Sequence, residues 1–316
     1  MAQQEAAPSP EGLLDALFPS YSHSYSARDV CLYALGVGCG AADLRFTFEG
    51  AKDFAVLPTF FAIPAHPAIH AVPLDRFLPQ CNPSRGLHAE QYIELPSERP
   101  PTDADVVTSV QVVDAQSKAK GAVVVVRTVT KDARLGHTLA VNEFTSFILG
   151  TAPFQGIRRP RARAPAATAP NAPPQRAPDA VVEEATTRDQ AALYRLSGDL
   201  NPLHIDPETA AFVGGYDRPI LHGLCTMGVS ARLVLREFGG GDPAAVRSIK
   251  VRFSKHVFPG DTLQVAMWAD PGANAVIFET RVKGRPGAAI SNAAVVFRPG
   301  RMGGGPAAAA AAASKL

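Results

Sequence analysis

The sequence lacks most features that would place it in a specialised class of protein. It has four cysteines in 316 residues, and none of them forms the Cys-x-x-Cys spacing of metal and redox motifs. We therefore predict no disulfide framework and expect a reducing, intracellular environment. The 31 basic and 29 acidic residues nearly cancel, which argues against a strongly basic nucleic-acid-binding protein and against an acidic disordered chain.

Long apolar runs are also missing. The uninterrupted apolar stretches are well short of the ~20 residues that a membrane-spanning helix needs, so we expect no membrane span. The first residues contain neither a basic segment nor an apolar one, so we expect no secretory signal. The last three residues, Ser314, Lys315 and Leu316, form the tripeptide that the peroxisomal import receptor reads.

Proline divides the chain into two parts of similar length. Residues 153–178 contain seven prolines among alanine and arginine and have no apolar periodicity, which predicts an extended linker. We expect a first domain over residues 20–152, a second over 179–300, and flexible termini over 1–19 and 301–316. The C-terminal glycines and seven alanines would hold the last tripeptide away from the folded body, although alanine also favours a short helix.

The two halves repeat one order of elements, which favours duplication of a single domain. Each begins with a short helix, over 28–35 or 188–196, preceded by a possible capping box at 26–29 or 187–190. A proline-containing loop follows, and then β-rich runs that predict an antiparallel meander. These runs are 106–113, 122–130 and 140–149 in the first half, and 249–253, 262–268, 276–282 and 288–297 in the second.

A long helical pattern occurs in the second half alone. Apolar residues recur at helical spacing between Gly223 and Phe238, and three glycines follow. A long helix lying across a curved antiparallel sheet is the hot-dog fold, so we predict an α+β protein with two such repeats, a double hot-dog. Pro64 and Pro67 interrupt the corresponding segment of the first half, where we expect a groove in place of a regular helix.

The loop after the second half's first helix is the best candidate for chemistry. Asp199 and His204 lie five residues apart on a stretch rich in glycine and proline. Such a pair can hold one water for general acid–base catalysis; the structural alternative is a helix cap and a buried, hydrogen-bonded histidine. Aligning the halves places Gly38 opposite Asp199 and Asp43 opposite His204. The first half therefore lacks the pair, which favours one active and one degenerate copy.

These residues carry a resemblance to a known family. Residues 194–232 read YRLSGDLNPLHIDPETAAFVGGYDRPILHGLCTMGVSAR, which closely resembles the signature of the (R)-specific 2-enoyl-CoA hydratases, or hydratases 2, of the MaoC-like dehydratases. Weaker similarity to peroxisomal hydratase 2, including the hydratase domain of multifunctional enzyme type 2, covers ARDVCLYALGVG, DFAVLPTF, LHAEQYIEL and RFSKHVFPGDTL. The resemblance implies a cofactor-free double hot-dog enzyme that hydrates trans-2-enoyl-CoA to (3R)-3-hydroxyacyl-CoA in peroxisomal β-oxidation.

The resemblance also implies roles for single residues. Asp199 and His204 match the catalytic pair, and Asn201 matches a polar residue that supports it. Gly223 matches the residue whose backbone N–H polarises the thioester carbonyl, a role that suits the free amide at the positive end of a helix. His222 is expected to contact the substrate.

Further implications concern the acyl tail and the partners. We expect the apolar 57–63 region to line the tail, through Leu57, Phe60 and Ala62. The implied partners are an acyl-CoA thioester, the import receptor and a second copy of the chain, with no nucleic acid and no metal. Two departures from the family pattern fall at the expected pocket rim: residues 212–216 are one residue longer than usual, and His256 replaces a proline.

Four other motifs give weaker evidence of function. Gly36 begins a fragment of the dinucleotide-binding motif, but this fragment follows a helix, which favours a helix C-cap. His66 and His70 are four residues apart, but Pro67 should interrupt the helix that would align them on a metal. Cys225 is typical of core packing rather than of a nucleophile. The arginines of 158–163 fit either CoA phosphates or a solvated linker.

Two other functions remain open at this point. A hot-dog thioesterase would direct an activated water at the thioester carbonyl, and an acyl-CoA-binding module would bind the thioester without turnover. The sequence around His204 favours hydration over hydrolysis. Binding alone would not require Asp199 and His204.

Overall fold

The computed structural model describes residues 9–303, and within them one ten-stranded antiparallel sheet dominates. The strands are β1 Tyr21–Tyr25, β2 Gly86–Glu94, β3 Ala104–Lys118, β4 Gly121–Asp132, β5 Thr138–Leu149, β6 Ala180–Ala185, β7 Val246–Phe253, β8 Thr262–Asp270, β9 Ala275–Val282 and β10 Ala288–Phe297. The α-helices are α1 Gly12–Asp15, α2 Ala27–Gly36, α3 Leu44–Thr47, α4 His66–Ile69, α5 Leu74–Phe77, α6 Pro165–Thr168, α7 Gln190–Tyr194, α8 Pro207–Gly214 and α9 Gly223–Phe238. Short 3-10 helices cover Pro58–Ala62, Pro83–Arg85, Arg195–Ser197, Pro202–His204 and Pro243–Ala245.

The strand order confirms the duplication. Across the sheet the order is β1-β3-β4-β5-β2-β7-β10-β9-β8-β6. Read inward from each edge, the first half gives edge strand, three-stranded meander and central strand, and the second half gives the same series. The meanders β3–β4–β5 and β8–β9–β10 match the predicted runs. The composition of β1, β2 and β6 did not predict them as strands, because their exposed and half-buried faces interrupt the apolar pattern.

The two halves share one sheet because β2 pairs with β7 at its centre. Their antiparallel register places Gln91 opposite Val251 and Ile93 opposite Ile249. One large core cluster accordingly contains buried residues from both halves.

The long helix α9 confirms the prediction from its apolar spacing. It runs from Gly223 to Phe238, and most of its side chains are buried, because α9 is covered on more than one side. Gly228 permits the closest of these contacts, since a Cβ there would lie 2.4 Å from a Val37 methyl group. The polar Ser230 is satisfied by Thr226 and Thr280 inside this core.

The segment of the first half around Pro64 and Pro67 forms no long helix, as we predicted from these two prolines. The segment forms the 3-10 helix Pro58–Ala62 and then the separate short helices α4 and α5. A second, smaller core cluster lies beneath α1, α4 and α5 and against β3, β4 and β5. Pro67 does not prevent α4 from forming, because it occupies the first turn, where a missing amide proton costs no helical bond.

The paired helices α2 and α7 differ slightly from expectation. The capping box of Ser26 and Asp29 is present before α2, whereas α7 begins only at Gln190, whose side chain accepts from Thr187 N. The helix-terminating glycine of α2 is Gly38, with φ +88°, rather than Gly36. Gly36 instead allows a close approach between helices, since a Cβ there would lie 3.3 Å from the Tyr194 Cα.

The proline-rich linker packs on the sheet instead of extending into solvent. Arg163 Nε donates to Glu143 at 2.6 Å, and Arg161 donates to the carbonyls of Val112 and Leu14. Lys250 Nζ donates to the carbonyl of Ala169 at 2.7 Å. Arg161 and Arg163 thus attach the linker to the first half, while Arg158, Arg159 and Arg161 are exposed to solvent.

Several other expectations can be compared with the structure. All four cysteines are free, as predicted. No helix within residues 9–303 is long and apolar enough to cross a membrane. The alanine run and the tripeptide Ser314–Leu316 lie outside the described residues.

The first half's core is tightest around the 3-10 helix Pro58–Ala62. Phe60 and Phe61 pack edge-on at 5.6 Å, and Tyr25 and Tyr33 pack against Phe60 at 5.0 and 5.6 Å. Ala62 in the same helix is 1% exposed. Such a site has no room for a larger side chain.

We therefore predict that Ala62→Leu lowers the free energy of unfolding by about 1–3 kcal/mol, the usual cost of overpacking a core. Urea denaturation followed by circular dichroism measures the change. Ala211→Leu, on the exposed face of α8, is the matched control and should change stability by less than ~0.5 kcal/mol. Equal stability of wild type and Ala62→Leu would show that the site is not closely packed.

Candidate active site

Both halves contribute to one cavity of about 1100 Å³. The second half provides its polar end, with Asp199, Asn201 and His204 beside the start of α9. The first half provides the apolar wall, formed by Ile69, Val72, Leu74, Val124, Val126, Phe144 and Ile148. A cavity with convergent polar groups at one end and an apolar remainder is typical of a ligand-binding site.

Local backbone geometry brings Asp199 and His204 together. Gly198 adopts φ +139°, a conformation that favours glycine, immediately before Asp199. Asn201 caps the following 3-10 helix, because its Oδ1 accepts from Leu203 N at 3.0 Å, while its own N–H donates to Asp199 Oδ1 at 3.3 Å. Asn201 thus fixes the backbone that follows Asp199. Asp199 and His204 are 8% and 9% exposed.

The tautomer of His204 follows from its hydrogen bond. Its Nδ1 lies 2.9 Å from the Ile220 carbonyl oxygen. A carbonyl oxygen can only accept, so Nδ1 carries the proton and Nε2 carries a free lone pair. His204 is therefore arranged as a proton acceptor.

His222 lies behind the pair and does not line the cavity. It is fully buried, and its Nε2 donates to the Asp199 carbonyl at 3.1 Å, by the same reasoning as for His204. Its ring stacks on that of His204 at a centroid distance of 3.8 Å. The structure therefore places His222 as a support for the backbone of Asp199 and the ring of His204, and not as the substrate contact that we expected.

Burial and neighbouring charges set the protonation states. Burial alone would raise the pKa of Asp199, but the imidazoles of His66, His222 and His204 together hold it below its usual value. Burial lowers the pKa of His204, and the Asp199 carboxylate only partly opposes this. Burial and His204 lower the pKa of His222 to about 3. Near neutral pH the site therefore contains one carboxylate and neutral imidazoles.

Gly223 begins α9 at the cavity wall. The first amides of a helix have no intrahelical acceptor and lie at the positive end of its dipole. A Cβ at Gly223 would lie 3.0 Å from the Phe253 ring, so a larger residue would crowd the ring beside this amide. The start of α9 can therefore stabilise a developing oxyanion in the cavity.

The chain is similar to known proteins over nearly its whole length. Residues 23–150 match the MFE-2 hydratase 2 N-terminal domain and residues 169–288 match the MaoC like domain. A probable enoyl-CoA hydratase 2 of Dictyostelium discoideum is 36% identical, over 89% of this chain and 94% of that protein. The chain belongs to the MaoC-like enoyl-CoA hydratase 2 family.

A longer relative and solved structures extend this comparison. A peroxisomal hydratase-dehydrogenase-epimerase of Neurospora crassa is 43% identical over 86% of this chain, which spans only 29% of that longer protein. A crystal structure of a MaoC-like dehydratase from Phytophthora capsici superimposes with a TM-score of 0.78 at 34% identity, covering 90% of this chain and 97% of that one. A Mycobacterium tuberculosis protein described as having a double hot-dog fold superimposes with a TM-score of 0.53 at 15% identity, over 90% of this chain and 97% of that one, so this chain has the double hot-dog fold.

The hydratase 2 cavity differs from expectation at its apolar wall. Leu57, Phe60 and Ala62 are buried in the core and do not line the cavity. Their helix turns its aromatic side chains towards Tyr25 and Tyr33. The chain reaches the cavity only after Pro64, from His66 onward, and residues of β4 and β5 complete the wall.

Three histidines of the first half, His66, His70 and His88, also line the cavity. His66 Nε2 lies 3.9 Å from Asp199 Oδ2. His88 on β2 packs against Phe144 and Phe253, and burial lowers its pKa to about 4. The sequence singled out His66 only as half of a metal pair with His70, and nothing in its pattern linked it to residue 199.

Gly38 and Asp43, which align with Asp199 and His204, have structural roles in the first half. A Cβ at Gly38 would lie 2.5 Å from Glu184 Oε1, so an aspartate would not fit there. Asp43 accepts from Gly40 N at 2.8 Å and precedes α3. Neither residue lines the cavity.

The cluster of Asp199, His204 and His222 contains residue types that can bind a metal ion. Asp199, His204 and His222 each have a ligand atom within 4.8 Å of the others. However, His204 Nδ1 and His222 Nε2 are committed to carbonyls, and the two rings stack at an angle of 30°. Stacked rings direct their remaining lone pairs along similar planes rather than towards one point, so the cluster does not fit a tetrahedral metal site.

Proposed function

We propose that this protein hydrates trans-2-enoyl-CoA thioesters to (3R)-3-hydroxyacyl-CoA without a cofactor. The observation that carries the proposal is the proximity of the Asp199 carboxylate and the His204 imidazole, whose free lone pair is on Nε2, at the polar end of the cavity and beside the start of α9. Family membership supports it, because the Dictyostelium discoideum relative is named a probable enoyl-CoA hydratase 2.

Both members of the pair accept hydrogen bonds, which suits them to hold one water. A water between them donates one O–H to the carboxylate and the other to Nε2, and its oxygen lone pair remains free to attack C3. As the O–C3 bond forms, one member of the pair takes a proton from the water. The electron pair of the C2=C3 bond then moves onto the thioester oxygen.

The amide of Gly223 is placed to stabilise that enolate oxygen. The proton held by the pair next passes to C2, and the enolate collapses to the saturated thioester. One water has then supplied both the hydroxyl at C3 and the hydrogen at C2, so no other proton source is required. The side of the double bond that faces the pair decides the configuration at C3, which chiral analysis of the product measures.

Replacing Asp199 by Asn or His204 by Gln should preserve the fold and lower turnover of crotonyl-CoA by at least ~100-fold. The two losses should be strongly non-additive, because both side chains hold the same water. The decrease of the enoyl-thioester absorbance measures hydration, and a free-thiol assay in parallel detects thioester hydrolysis.

Asp43→Asn is the matched control, since the asparagine Oδ1 can accept the same hydrogen bond from Gly40 N. It should stay within about twofold of wild type. A variant of Asp199 or His204 that keeps a tenth of the wild-type rate would exclude that residue from catalysis. Release of free CoA without hydration would identify a thioesterase instead.

We place the acyl tail along the wall formed by α4, α5, β4 and β5, instead of along residues 57–63. The groove left by the interrupted helix supports this assignment, because Ile69, Val72 and Leu74 line it together with apolar residues of β4 and β5, beside the polar His70, Asp75 and Arg76. Each methylene buried there contributes roughly 0.8 kcal/mol. The wall can therefore determine chain-length preference.

Val126→Phe should depress activity on a ten-carbon enoyl-CoA at least ~10-fold more than on crotonyl-CoA, because the ring would occupy the tail space at a cost of ~1.4 kcal/mol or more. Comparison of kcat/KM for the two substrates measures the selectivity. Ala62→Leu is the contrasting variant and should affect both substrates alike, through stability. Equal losses for Val126→Phe would place the tail elsewhere.

We propose that the protein is imported into the peroxisomal matrix through Ser314, Lys315 and Leu316 and functions there as a homodimer in β-oxidation. The sequence of the tripeptide and the naming of the Neurospora crassa relative as peroxisomal support this location. Sedimentation of the purified chain measures the oligomeric state.

Deletion of residues 314–316 should leave hydratase activity unchanged and retain the protein in the cytosol. Microscopy of tagged chains, with the tag at the N-terminus, against a peroxisomal marker measures import. The full-length chain carrying the same tag is the control. Continued import of the truncated chain would reveal a second signal or a co-imported partner.

A further inference from the structure

A third imidazole faces the catalytic carboxylate, and the mechanism above does not use it. Asn201 N donates to Asp199 Oδ1, whereas Oδ2 lies 3.9 Å from His66 Nε2. The two side chains are 16% and 11% exposed. This separation is within ion-pair range and slightly beyond a direct hydrogen bond, so a small rotation of the imidazole would bring its N–H into hydrogen-bonding distance of Oδ2.

His204 and His222 use their ring N–H groups on backbone carbonyls, whereas His66 makes no such bond within residues 9–303. His204 uses its N–H on Ile220 and presents a lone pair. His222 uses its N–H on the main-chain carbonyl of Asp199. Of the three imidazoles around the Asp199 carboxylate, His66 alone has no ring N–H committed to another described residue, and it can therefore donate to Oδ2.

The interrupted helix of the first half places His66 at this position. α4 begins at His66, directly after the break around Pro64, and its first turn lies on the cavity. The His66 ring packs edge-on against His70 at 5.1 Å and against Phe144 at 6.4 Å. Its orientation is thus held by contacts from both α4 and β5.

We propose that His66 is a positioning residue for catalysis, which holds the Oδ2 edge of Asp199 so that the carboxylate keeps its orientation towards the shared water. The inference rests on the proposed function and extends it, because it makes the first half a contributor to the chemistry as well as to the tail wall. His66 touches no reacting atom in this scheme and acts through Asp199.

This role has a consequence for pH dependence. Asp199 faces His66 from α4, His204 from the neighbouring 3-10 helix and His222 from the segment before α9, while His66 itself also faces His70 and is near His88. Among the surrounding groups, His66 contributes most to lowering the pKa of Asp199. Without His66 the pKa of Asp199 should therefore rise.

The test compares His66→Leu, His66→Gln and His70→Leu in the full-length protein. We expect His66→Leu to lower kcat about 10-fold or more with KM within about twofold, equally on crotonyl-CoA and on a ten-carbon enoyl-CoA. The acid limb of its kcat/KM profile should move to higher pH by about half a unit or more. His66→Gln keeps an N–H donor and should recover most of kcat.

His70→Leu is the matched control, since it lies one turn further along the same segment and also lines the cavity. It should leave the acid limb in place, and any effect of altered cavity shape should appear in KM. A His66→Leu variant with wild-type kcat and acid limb would overturn the proposal. Loss confined to the longer substrate would also overturn it, because His66 would then be part of the tail wall.

A titration of the unliganded protein separates this inference from the proposed function. The carboxyl carbon resonance of Asp199, followed by NMR against pH, should show a pKa higher by about half a unit or more in His66→Leu than in wild type or His70→Leu. Identical titration in all three proteins would overturn the inference even in an active hydratase. A clear shift in a protein without hydratase activity would retain the contact between the two residues and refute the proposed reaction.

Discussion

The pairing of β2 with β7 is the constraint on which the rest of the structure depends. It joins two copies of one strand order into a single sheet and brings the helical layers of both halves onto one core. His88 on β2 and Phe253 at the end of β7 are ring neighbours at the cavity. A site built from both halves is therefore a direct consequence of this central ladder, and separating the halves would remove one wall of the cavity.

The two halves share one strand order, but proline residues make their helical layers different. In the second half α9 fills the space above its strands, and its first amide serves the polar end of the cavity. In the first half the chain breaks at Pro64, so three short helices leave the space above β4 and β5 open. The helical layers of the two halves therefore differ: α9 covers the strands of the second half, whereas short helices and the cavity lie beside β4 and β5 in the first half.

Local patterns predicted the parts of the fold that depend on local physics. The sequence predicted α9, the two meanders and the capping box before α2. It also predicted the clustering of Asp199, Asn201 and His204, because each of these features depends on residues close in sequence. It did not predict which residues form the wall of the cavity. Whether Phe60 points to the core or to the cavity depends on its packing against Tyr25 and Tyr33, and His66 meets Asp199 only through the shared sheet.

Backbone carbonyls determine which ring nitrogen of His204 and which of His222 carries the proton. The Ile220 carbonyl fixes one tautomer of His204, which directs a lone pair into the cavity. The Asp199 carbonyl fixes the opposite tautomer of His222, which directs its ring N–H into the protein. Because carbonyls stay acceptors at every pH at which the fold exists, these tautomers are fixed whatever the protonation state of Asp199. The reaction proposed above then requires only the Asp199 carboxylate and the His204 lone pair.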